Sequence, residues 1–414
     1  MSRIVVLSSG PLCRNPRVLK EASALGSAGH DVTVLTVAYS DAEEATDAVL
    51  LSSAPFRKQV VDLVPRANPI RLLRRFSRRA AGLAARSLLS TGMFDAHALG
   101  PATALGRRAR SLSWDLLIAH TELPMVIANR LLAQGRPVSA DFEDWHSRDL
   151  LAADRLHRPM RLLQATEAAL MRGALSVTTT SNAMADALQH EYGGPRPVVV
   201  RNVFPLQPEP APPPAGASPS FFWFSQTIGE GRGLEEFVSA WNLTRAPSSL
   251  ALLGDVSPAY REKITAIATP RRRASLMFLP IVAPDKLPSV IAGHHLGLAL
   301  EPLEPENRDF TISNKIFQYL NAGLGVLATG TAGQREVAAL APEACRIIDL
   351  EQAPRLAAEI DSLLSSPDRV RAMGIAARRA AEDEFCWEHE SPRLVSAIDA
   401  AIVKGEGRQR SLHR

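Results

Sequence analysis

Two stretches of this sequence combine glycine, hydroxyl and cationic residues in the way that phosphate-binding loops do. The first, FSQTIGEGRGLEE (224–236), places Gly229, Gly231 and Gly233 around Arg232. Glycine lets a backbone approach a phosphate closely, and the forked guanidinium of arginine can donate two hydrogen bonds to one. A G-x-G-x-G loop is also typical of a tight turn between a strand and a helix, so the pattern alone leaves both interpretations open.

The second stretch, RDFTISNKIFQYLNAG (308–323), is a polar turn that runs into an amphipathic helix. A helix start exposes unpaired N–H groups at its positive dipole end and therefore favours an anion. Thr311 and Ser313 offer hydroxyl groups, and Lys315 adds a cation to the first turn. Since a cation there opposes the dipole, the pattern predicts a bound anion. The alternative is an ordinary Ser or Asn cap beside a surface lysine.

Candidate acid–base residues follow the strand-like runs of the N-terminal half. His120 ends DLLIAH with Glu122 close by, and a carboxylate-rich group lies at the end of PVSADF and just after it: Asp141, Glu143, Asp144 and His146. A histidine alone is usually structural, but a histidine and carboxylates at neighbouring strand ends favour a catalytic site. In SSGPLCRNPR (8–17), Gly10 allows a sharp turn, and either Arg14 or Arg17 is a candidate to face the same site.

The elements that must position these residues alternate regularly between strands and helices. Continuous apolar runs such as RIVVLSS, DVTVLTV, DLLIAH and FFWFS suit parallel strands buried on both faces, with helices crossing between them. One long helix is expected from about Leu151 and a last amphipathic helix over Pro392–Lys404. The fold class predicted is therefore α/β, with two Rossmann-like doubly wound domains facing across a cleft.

The predicted boundaries follow the composition of the chain. PLQPEPAPPPAGASPS reads as a semi-stiff linker because its prolines cannot join a helix or a sheet ladder. The prediction is an N-terminal domain over 1–204, the linker over 205–220, a C-terminal domain over 221–385, and a helix over 386–414 that packs back on the N-terminal domain. Ligands of such sheets bind at the carboxyl ends of the strands, where the candidate residues fall.

Composition excludes several classes of protein. The 414 residues are 46% hydrophobic and 22% charged, as in a globular protein. No uninterrupted apolar stretch reaches about 18 residues, and the opening MSRIVVLSSG indicates a strand rather than a secretory signal. The three cysteines lack metal-type spacing and fit a reducing compartment, so we expect a cytoplasmic protein with no metal site.

A basic arm, RANPIRLLRRFSRRAAGLAARSLL (66–89), interleaves arginines with apolar residues and contains no acidic residue. This pattern favours a helix on an anionic membrane surface, with five arginines as contacts: Arg71, Arg74, Arg75, Arg78 and Arg79. The alternative is a solvated helix whose arginine stems cover the core. Nucleic acid is not expected as a partner, because no aromatic platform accompanies the charge.

The sequence resembles the GT-B glycosyltransferases of family four over essentially its whole length. The stretches that carry the resemblance are RNPRVLKEASALGSAGHDVTVLT, TTTSNAMADALQHEYG with VVVRNVF, SQTIGEGRGLEEF, and above all SNKIFQYLNAGLGVLATGTAGQREV. The resemblance implies a nucleotide-sugar donor on the C-terminal domain and an acceptor mostly on the N-terminal one. It also implies metal-independent transfer, usually with retention at the anomeric carbon.

Individual residues carry over from the family. Gly10 matches a glycine near the donor phosphate, His120 a histidine near the sugar, and Arg232 a lysine against the diphosphate. Gln226 replaces the arginine of that pair, and Gln318 replaces the second ribose-binding glutamate, whose partner eight positions earlier is Phe310 here. The implied donor-binding set is Gly10, Gln226, Gly231, Asp309, Phe310, Thr311, Ser313, Asn314 and Gln318. The predicted catalytic residues are His120 and Arg232 from the resemblance and Lys315 from the helix start. The strand ends and the loop after the first strand supply the acceptor or base candidates Glu122, Asp141, Glu143 and Arg14.

The function that these observations predict is transfer of a sugar from a nucleotide-sugar to a glycan or lipid-linked acceptor. Cell-surface polysaccharide or glycoconjugate synthesis at the inner face of the membrane would be its setting. No cofactor beyond the nucleotide-sugar co-substrate is expected. Two alternatives stay open: a nucleotide-sugar epimerase of the same shape, and a non-catalytic nucleotide-sugar-binding protein in which Gln226 and Gln318 mark lost charges.

Overall fold

The structure is a computed structural model that describes residues 1–64, 80, 83–84, 95–152, 154–208, 213–214 and 216–412. The predicted membrane contacts Arg71, Arg74, Arg75, Arg78 and Arg79 lie outside these residues. Contacts divide the chain into two compact units. The first contains Met1–Thr180, Met184–Val200 and Ser391–Arg414, and the second contains Ser181–Ala183 and Arg201–Glu390.

The first unit is built on a parallel sheet whose described strands follow the order β3-β2-β1-β4-β5-β6-β7. The strands are β1 (Arg3–Leu7), β2 (Asp31–Ala38), β3 (Arg57–Asp62), β4 (Leu116–His120), β5 (Val138–Phe142), β6 (Val177–Thr179) and β7 (Val198–Val199). All residues of β4 and β5 are buried, because helices cover both faces of the sheet. The register sets His120 opposite Asp141 at the carboxyl edge.

Helices connect these strands. They are α1 (Pro16–Ser27), α2 (Asp41–Leu51), α3 (Asp95–Ala98), α4 (Ala102–Ser111), α5 (Glu122–Leu132), α6 (Met160–Gly173) and α7 (Asn182–Tyr192). Helix α1 begins at Pro16 because proline suits the first helical position, and the Asn15 side chain accepts a hydrogen bond from the Val18 N–H at 3.1 Å.

The second unit repeats the architecture with the strand order β10-β9-β8-β11-β12-β13. Its strands are β8 (Ser220–Ile228), β9 (Ser249–Val256), β10 (Leu276–Leu279), β11 (Leu296–Ala299), β12 (Gly325–Thr329) and β13 (Cys345–Ile348). In both sheets the order reverses beside the first strand, between β1 and β4 and between β8 and β11. Ligands of doubly wound sheets bind at such switch points. The predicted α/β class with two doubly wound sheets is confirmed.

The helices of the second unit cover its sheet. They are α8 (Leu234–Leu243), α9 (Pro258–Ile267), α10 (Pro270–Arg273), α11 (Leu287–Ala292), α12 (Asn307–Phe310), α13 (Asn314–Asn321), α14 (Ala332–Leu340), α15 (Ala353–Leu364) and α16 (Pro367–Asp383). The chain then forms α17 (Trp387–Leu412), whose residues from Ser391 onward pack in the first unit. There, His30 Nε2 lies 3.1 Å from Asp399 Oδ1.

Four local predictions differ from the structure. The long helix expected from about Leu151 begins at Met160, because the residue before Pro159 is disfavoured in a helical conformation. The strand FFWFS continues to Ile228, with a register shift between Phe224 and Thr227. Part of the expected turn before α13 is helical, as α12. The last helix is longer than Pro392–Lys404. The sequence patterns did not predict β3, α2, α3 or α4.

Candidate active site

The loop after β8 has the open backbone that a phosphate contact requires. Gly231 and Gly233 have φ angles of 68° and 69°, which strain any residue with a side chain. A Cβ added to Gly233 would lie 2.7 Å from Leu350 Cδ1, whereas nothing lies within 4 Å of one added to Gly231. Gly233 therefore serves the packing of the loop, and Gly231 leaves an open surface beside Arg232.

A buried carboxylate that the sequence analysis did not select organises the other side of this edge. Glu301 follows the end of β11 and accepts two hydrogen bonds at Oε1, from Lys315 Nζ at 2.8 Å and from Ser313 Oγ at 3.0 Å. Burial raises the pKa of Glu301, but Lys315, Ser313 and the charge of Arg232 more than offset this and lower it. The two predicted cations, Arg232 and Lys315, thus act on the same carboxylate.

The structure gives Lys315 and Ser313 roles that differ in detail from the expected ones. Lys315 is buried and its ammonium lies 5.5 Å from the centre of the Trp223 ring, within range of a cation–π interaction. Ser313 is the N-cap residue of α13, but its hydroxyl bonds to Glu301 rather than to the helix. The first N–H groups of α13 therefore have no side-chain cap, and that is the end of a helix that attracts anions.

The remaining donor-binding candidates of this unit surround the start of α13. Asp309 Oδ1 accepts a hydrogen bond from the Ala332 N–H at 2.8 Å, so it holds the start of α14. Phe310 ends α12, and Thr311 follows it as the C-cap residue. Asn314 is exposed at the first position of α13. Asp309 thus ties the turn to α14, and Asn314 leaves the start of α13 exposed to solvent.

The two glutamines of interest lie in different settings. Gln318 is partly buried in the second turn of α13, and among the described residues nothing hydrogen-bonds to its amide. Gln226 is exposed and lies in the irregular part of β8, before the glycine loop rather than within it. The register shift between Phe224 and Thr227 lets the Gln226 side chain point away from the hydrogen-bonded strands.

In the first unit, His120 lies inside a buried ionic cluster. Its Nε2 lies 2.5 Å from Glu21 Oε2 and its Nδ1 3.2 Å from Asp141 Oδ2, and the residue is 1% exposed. Arg17 donates two hydrogen bonds of 2.6 Å to Asp141, and Thr178 Oγ1 donates one of 2.5 Å. Of this cluster, the sequence predicts His120 and Asp141 as site residues and offers Arg17 as an alternative to Arg14. It carries no signal for Glu21 or Thr178, because these residues come from distant elements.

The charges of this cluster follow from its geometry. Burial lowers the pKa of His120, but the Glu21 and Asp141 carboxylates outweigh that and raise it to about 10. Burial likewise raises the pKa of Asp141, yet Arg17 and His120 hold it far below its usual range. His120 is therefore an imidazolium at neutral pH, and Asp141 is held ionised, with no tendency to accept a proton.

The loops at the switch point of the first sheet are linked to each other. Ser9 Oγ lies 2.9 Å from Thr121 Oγ1, which connects the loop after β1 to the end of β4. Gly10 lacks the positive φ that its predicted sharp turn suggests, and a Cβ there would meet nothing within 4 Å. The open space beside Gly10 is consistent with a contact to a ligand, although the turn itself does not need glycine.

The acceptor or base candidates are engaged to different degrees. Glu122 forms an ion pair with Arg158, and the exposed Arg14 pairs with Glu43 at 2.8 Å. Glu143 is partly exposed after β5. Its burial raises its pKa, and the nearby Arg17 offsets the rise only in part. Of the predicted carboxylates, Glu143 thus combines solvent access with a pKa shifted towards neutrality.

Neither a metal centre nor a membrane span is found in the described part of the chain. No group of three or more His, Cys, Asp or Glu residues there could hold a metal ion. No described helix is long and apolar enough to cross a membrane.

Comparisons with known proteins agree with this architecture. Residues 15–203 match the family model described as a glycosyl transferase 4-like domain. No curated protein matches the sequence. Sucrose-phosphate synthase from Thermosynechococcus elongatus superposes with a TM-score of 0.69 at 14% identity, over 98% of this chain and 100% of that one.

Two further solved structures are similar in the same way. Anabaena HepE in complex with UDP-glucose has a TM-score of 0.66 at 15% identity and covers 97% of this chain and 100% of its own. WaaG, a glycosyltransferase involved in lipopolysaccharide biosynthesis, has a TM-score of 0.58 at 14% identity, over 94% of this chain and 98% of that one. At such identities the likeness establishes the fold.

Proposed function

We propose that this protein, a glycosyltransferase of the GT-B type with a glycosyl transferase 4-like domain, moves a sugar from a nucleotide-sugar to a glycan or lipid-linked acceptor. The observation that carries the proposal is the grouping of Arg232, Lys315 and the uncapped start of α13 around Glu301 at the switch point of the second sheet. A uridine diphosphate sugar is the first donor to test, because HepE binds UDP-glucose with the same fold.

In the proposed reaction the bond between the anomeric carbon and the diphosphate oxygen breaks, and its electron pair leaves with the diphosphate. Arg232 and Lys315 stabilise the negative charge that gathers there, together with the amide groups at the start of α13. The acceptor hydroxyl bonds to the anomeric carbon and passes its proton to the leaving diphosphate. This route retains the anomeric configuration and uses no metal ion.

An inverting route would need a carboxylate base from the first unit. The candidates are Glu122, Asp141 and Glu143, and Glu143 fits best because Asp141 is held ionised by Arg17. The resemblance predicts that His120 contacts the sugar, but its ring is 1% exposed and lies between Glu21 and Asp141. In either route we therefore expect His120 to hold this edge of the sheet in place. Comparing the anomeric configuration of donor and product by NMR decides between the two routes.

The test of the proposal starts with the donor. A thermal-shift screen against UDP-, GDP-, ADP- and dTDP-sugars identifies it, and assays of donor hydrolysis and transfer follow. Arg232→Ala and His120→Ala should both lose turnover, whereas the exposed Arg369→Ala should keep it as the matched control. Turnover at the wild-type level in both site variants would contradict the site assignment. Dialysis against EDTA should leave the wild-type rate unchanged.

The same assays separate the alternative functions. An epimerase would convert the donor without an acceptor, and its product would appear by NMR when the donor is incubated alone. A non-catalytic binding protein would give a thermal shift with a donor but no turnover with any acceptor. Transfer that requires both substrates supports the proposal over these two.

We further propose that segment 66–89 attaches the protein to the cytoplasmic face of an anionic membrane, where lipid-linked acceptors reside. The support is its sequence pattern of arginines and apolar residues. In flotation with anionic vesicles, the wild type should rise with the lipid at low salt and be released at high salt. Replacing Arg71, Arg74, Arg75, Arg78 and Arg79 by alanine should abolish binding, and neutral vesicles serve as the control.

A further inference from the structure

Three consecutive residues at the end of β4 are each held by a different part of the first unit. The His120 ring lies between Glu21 of α1 and Asp141 of β5. Thr121 is hydrogen-bonded through its hydroxyl to Ser9 of the loop after β1. Glu122, the first residue of α5, is paired with Arg158. Such a concentration of polar contacts fixes this segment at the switch point of the sheet.

The cluster behind the segment is unusual in its burial. Arg17, Glu21, His120 and Asp141 are each 3% exposed or less. Removing four ionisable groups from water is unfavourable, and a well-packed apolar core is often as stable as a buried ion pair. Stability alone therefore does not account for two carboxylates and two cations at this position. A requirement for a fixed geometry does account for them, because Arg17 and Asp141 are joined by two hydrogen bonds and each His120 nitrogen faces one carboxylate, which leaves few alternative arrangements.

The backbone next to this cluster shows what the geometry maintains. Thr121 has φ 66° and ψ 168°, and it is the only non-glycine residue with positive φ among those that the structure describes. That region of conformational space is almost restricted to glycine, and a β-branched residue there is strained. Strain of this kind persists only where the surroundings over-determine it, and it is typical of functional sites.

We propose that Glu21 and Thr121 are positioning residues of the sugar-transfer reaction. Glu21 fixes the His120 ring, and the fixed ring holds Thr121 and the loop after β1, which contains Ser9, in the conformation that receives the substrate. The assignment rests on the proposed function. Neither side chain needs to touch the substrate. Glu21 acts through His120. The backbone conformation of Thr121 sets the orientation of α5, and its hydroxyl is hydrogen-bonded to Ser9.

The test begins with Glu21→Gln, which keeps the shape of the side chain and removes its charge. We expect kcat to fall at least about tenfold with the donor KM within about twofold, because misplacement of reacting groups affects the transition state more than binding. The matched control is Glu167→Gln. Glu167 is equally buried and accepts bonds from the Ser147 N–H and the Tyr192 hydroxyl, outside the cluster. The Glu167→Gln variant should have a destabilised fold and the kcat of the wild type.

A double-mutant cycle separates positioning from general destabilisation. Glycine adopts the conformation of Thr121 without strain but does not enforce it, so Thr121→Gly should also lower kcat. Because both residues hold the same segment in place, the kcat of the double variant Glu21→Gln with Thr121→Gly should be no lower than that of the worse single variant. Additive losses, or a Glu21→Gln variant with the kcat of wild type, would overturn the proposal.

Hydrogen–deuterium exchange provides a readout that needs no turnover. In Glu21→Gln, amides of residues 8–15 and of the first turn of α5 should exchange faster than in wild type, and in Glu167→Gln they should not. Equal exchange in wild type and Glu21→Gln would refute the positioning role. If the wild type transfers no sugar from any donor, the proposed function fails, while exchange still decides whether Glu21 holds this segment.

Discussion

The ammonium of Lys315 lies 2.8 Å from Glu301 Oε1, so the cation at the start of α13 is paired before any ligand arrives. A helix N-terminus with a lysine in its first turn is electrostatically unfavourable by itself. Glu301 removes that conflict and fixes the direction of the side chain beside Trp223. The charge of Arg232 also acts on Glu301, and we expect Arg232 and Lys315 to act on a diphosphate together.

Replacing Lys315 by methionine tests its share in donor binding. A hydrogen bond to a charged group contributes about 1.5–3 kcal/mol, so affinity for UDP should fall roughly 10- to 150-fold in isothermal titration calorimetry. Arg369→Met is the control and should bind as the wild type does. The variant leaves Glu301 buried and unpaired, so adding Glu301→Gln should recover stability without recovering affinity. Unchanged UDP affinity would contradict the role of Lys315.

Gln318 is the second site to test, since its amide has no partner in the described structure and stands where the family has a glutamate. An amide can donate one hydrogen bond to a ribose hydroxyl and accept another, whereas a carboxylate accepts both. Gln318→Glu should therefore keep donor affinity or raise it by a few fold. A collapse of binding, measured by titration with the donor found in the screen, would mean that the amide suits this donor specifically.

Gly233 offers a prediction about stability. An alanine there meets a φ of 69° and a Leu350 methyl 2.7 Å from its Cβ, so it should destabilise the second unit by about 1–3 kcal/mol. Gly229→Ala lies in the same loop but meets nothing within 4 Å, and it should change stability by less than about 0.5 kcal/mol. Calorimetric unfolding of both variants checks this. Equal losses of stability in the two variants would show that the loop does not need a glycine with positive φ at position 233.

The pKa of His120 predicts a dependence of stability on pH. Because the folded-state pKa of about 10 lies above the ordinary value of 6.5, the protonated ring stabilises the fold fully below pH 6.5. This contribution should decline as the pH rises through about 10. Denaturant titrations of wild type and His120→Gln across that window should show their difference shrinking with pH. A difference independent of pH would mean that His120 does not change its charge there.

Several features of the fold follow from local patterns in the sequence. The apolar runs RIVVL, LLIAH and GVLAT are buried parallel strands, and the residues predicted to do chemistry follow strands at the carboxyl edges. The apolar pattern did not predict elements in which few residues are buried. Strand β3 alternates between exposed and partly buried residues at the edge of the sheet, and α2 has only Asp47 buried. Edge elements carry little periodic apolar signal because solvent covers much of them.

The sequence by itself determined the two doubly wound sheets, the loops that follow their strands, and the candidates Arg232, Lys315 and Gln318. Only the tertiary structure decided which charges meet. Arg17 and Asp141 are 124 residues apart, and Glu301 pairs with Lys315 across the break between α12 and α13. Periodicity and capping are local properties of the chain, whereas ion pairing depends on which strand ends the sheet order brings together. For that reason, Glu21 and Glu301 could not be identified as site residues from the sequence alone.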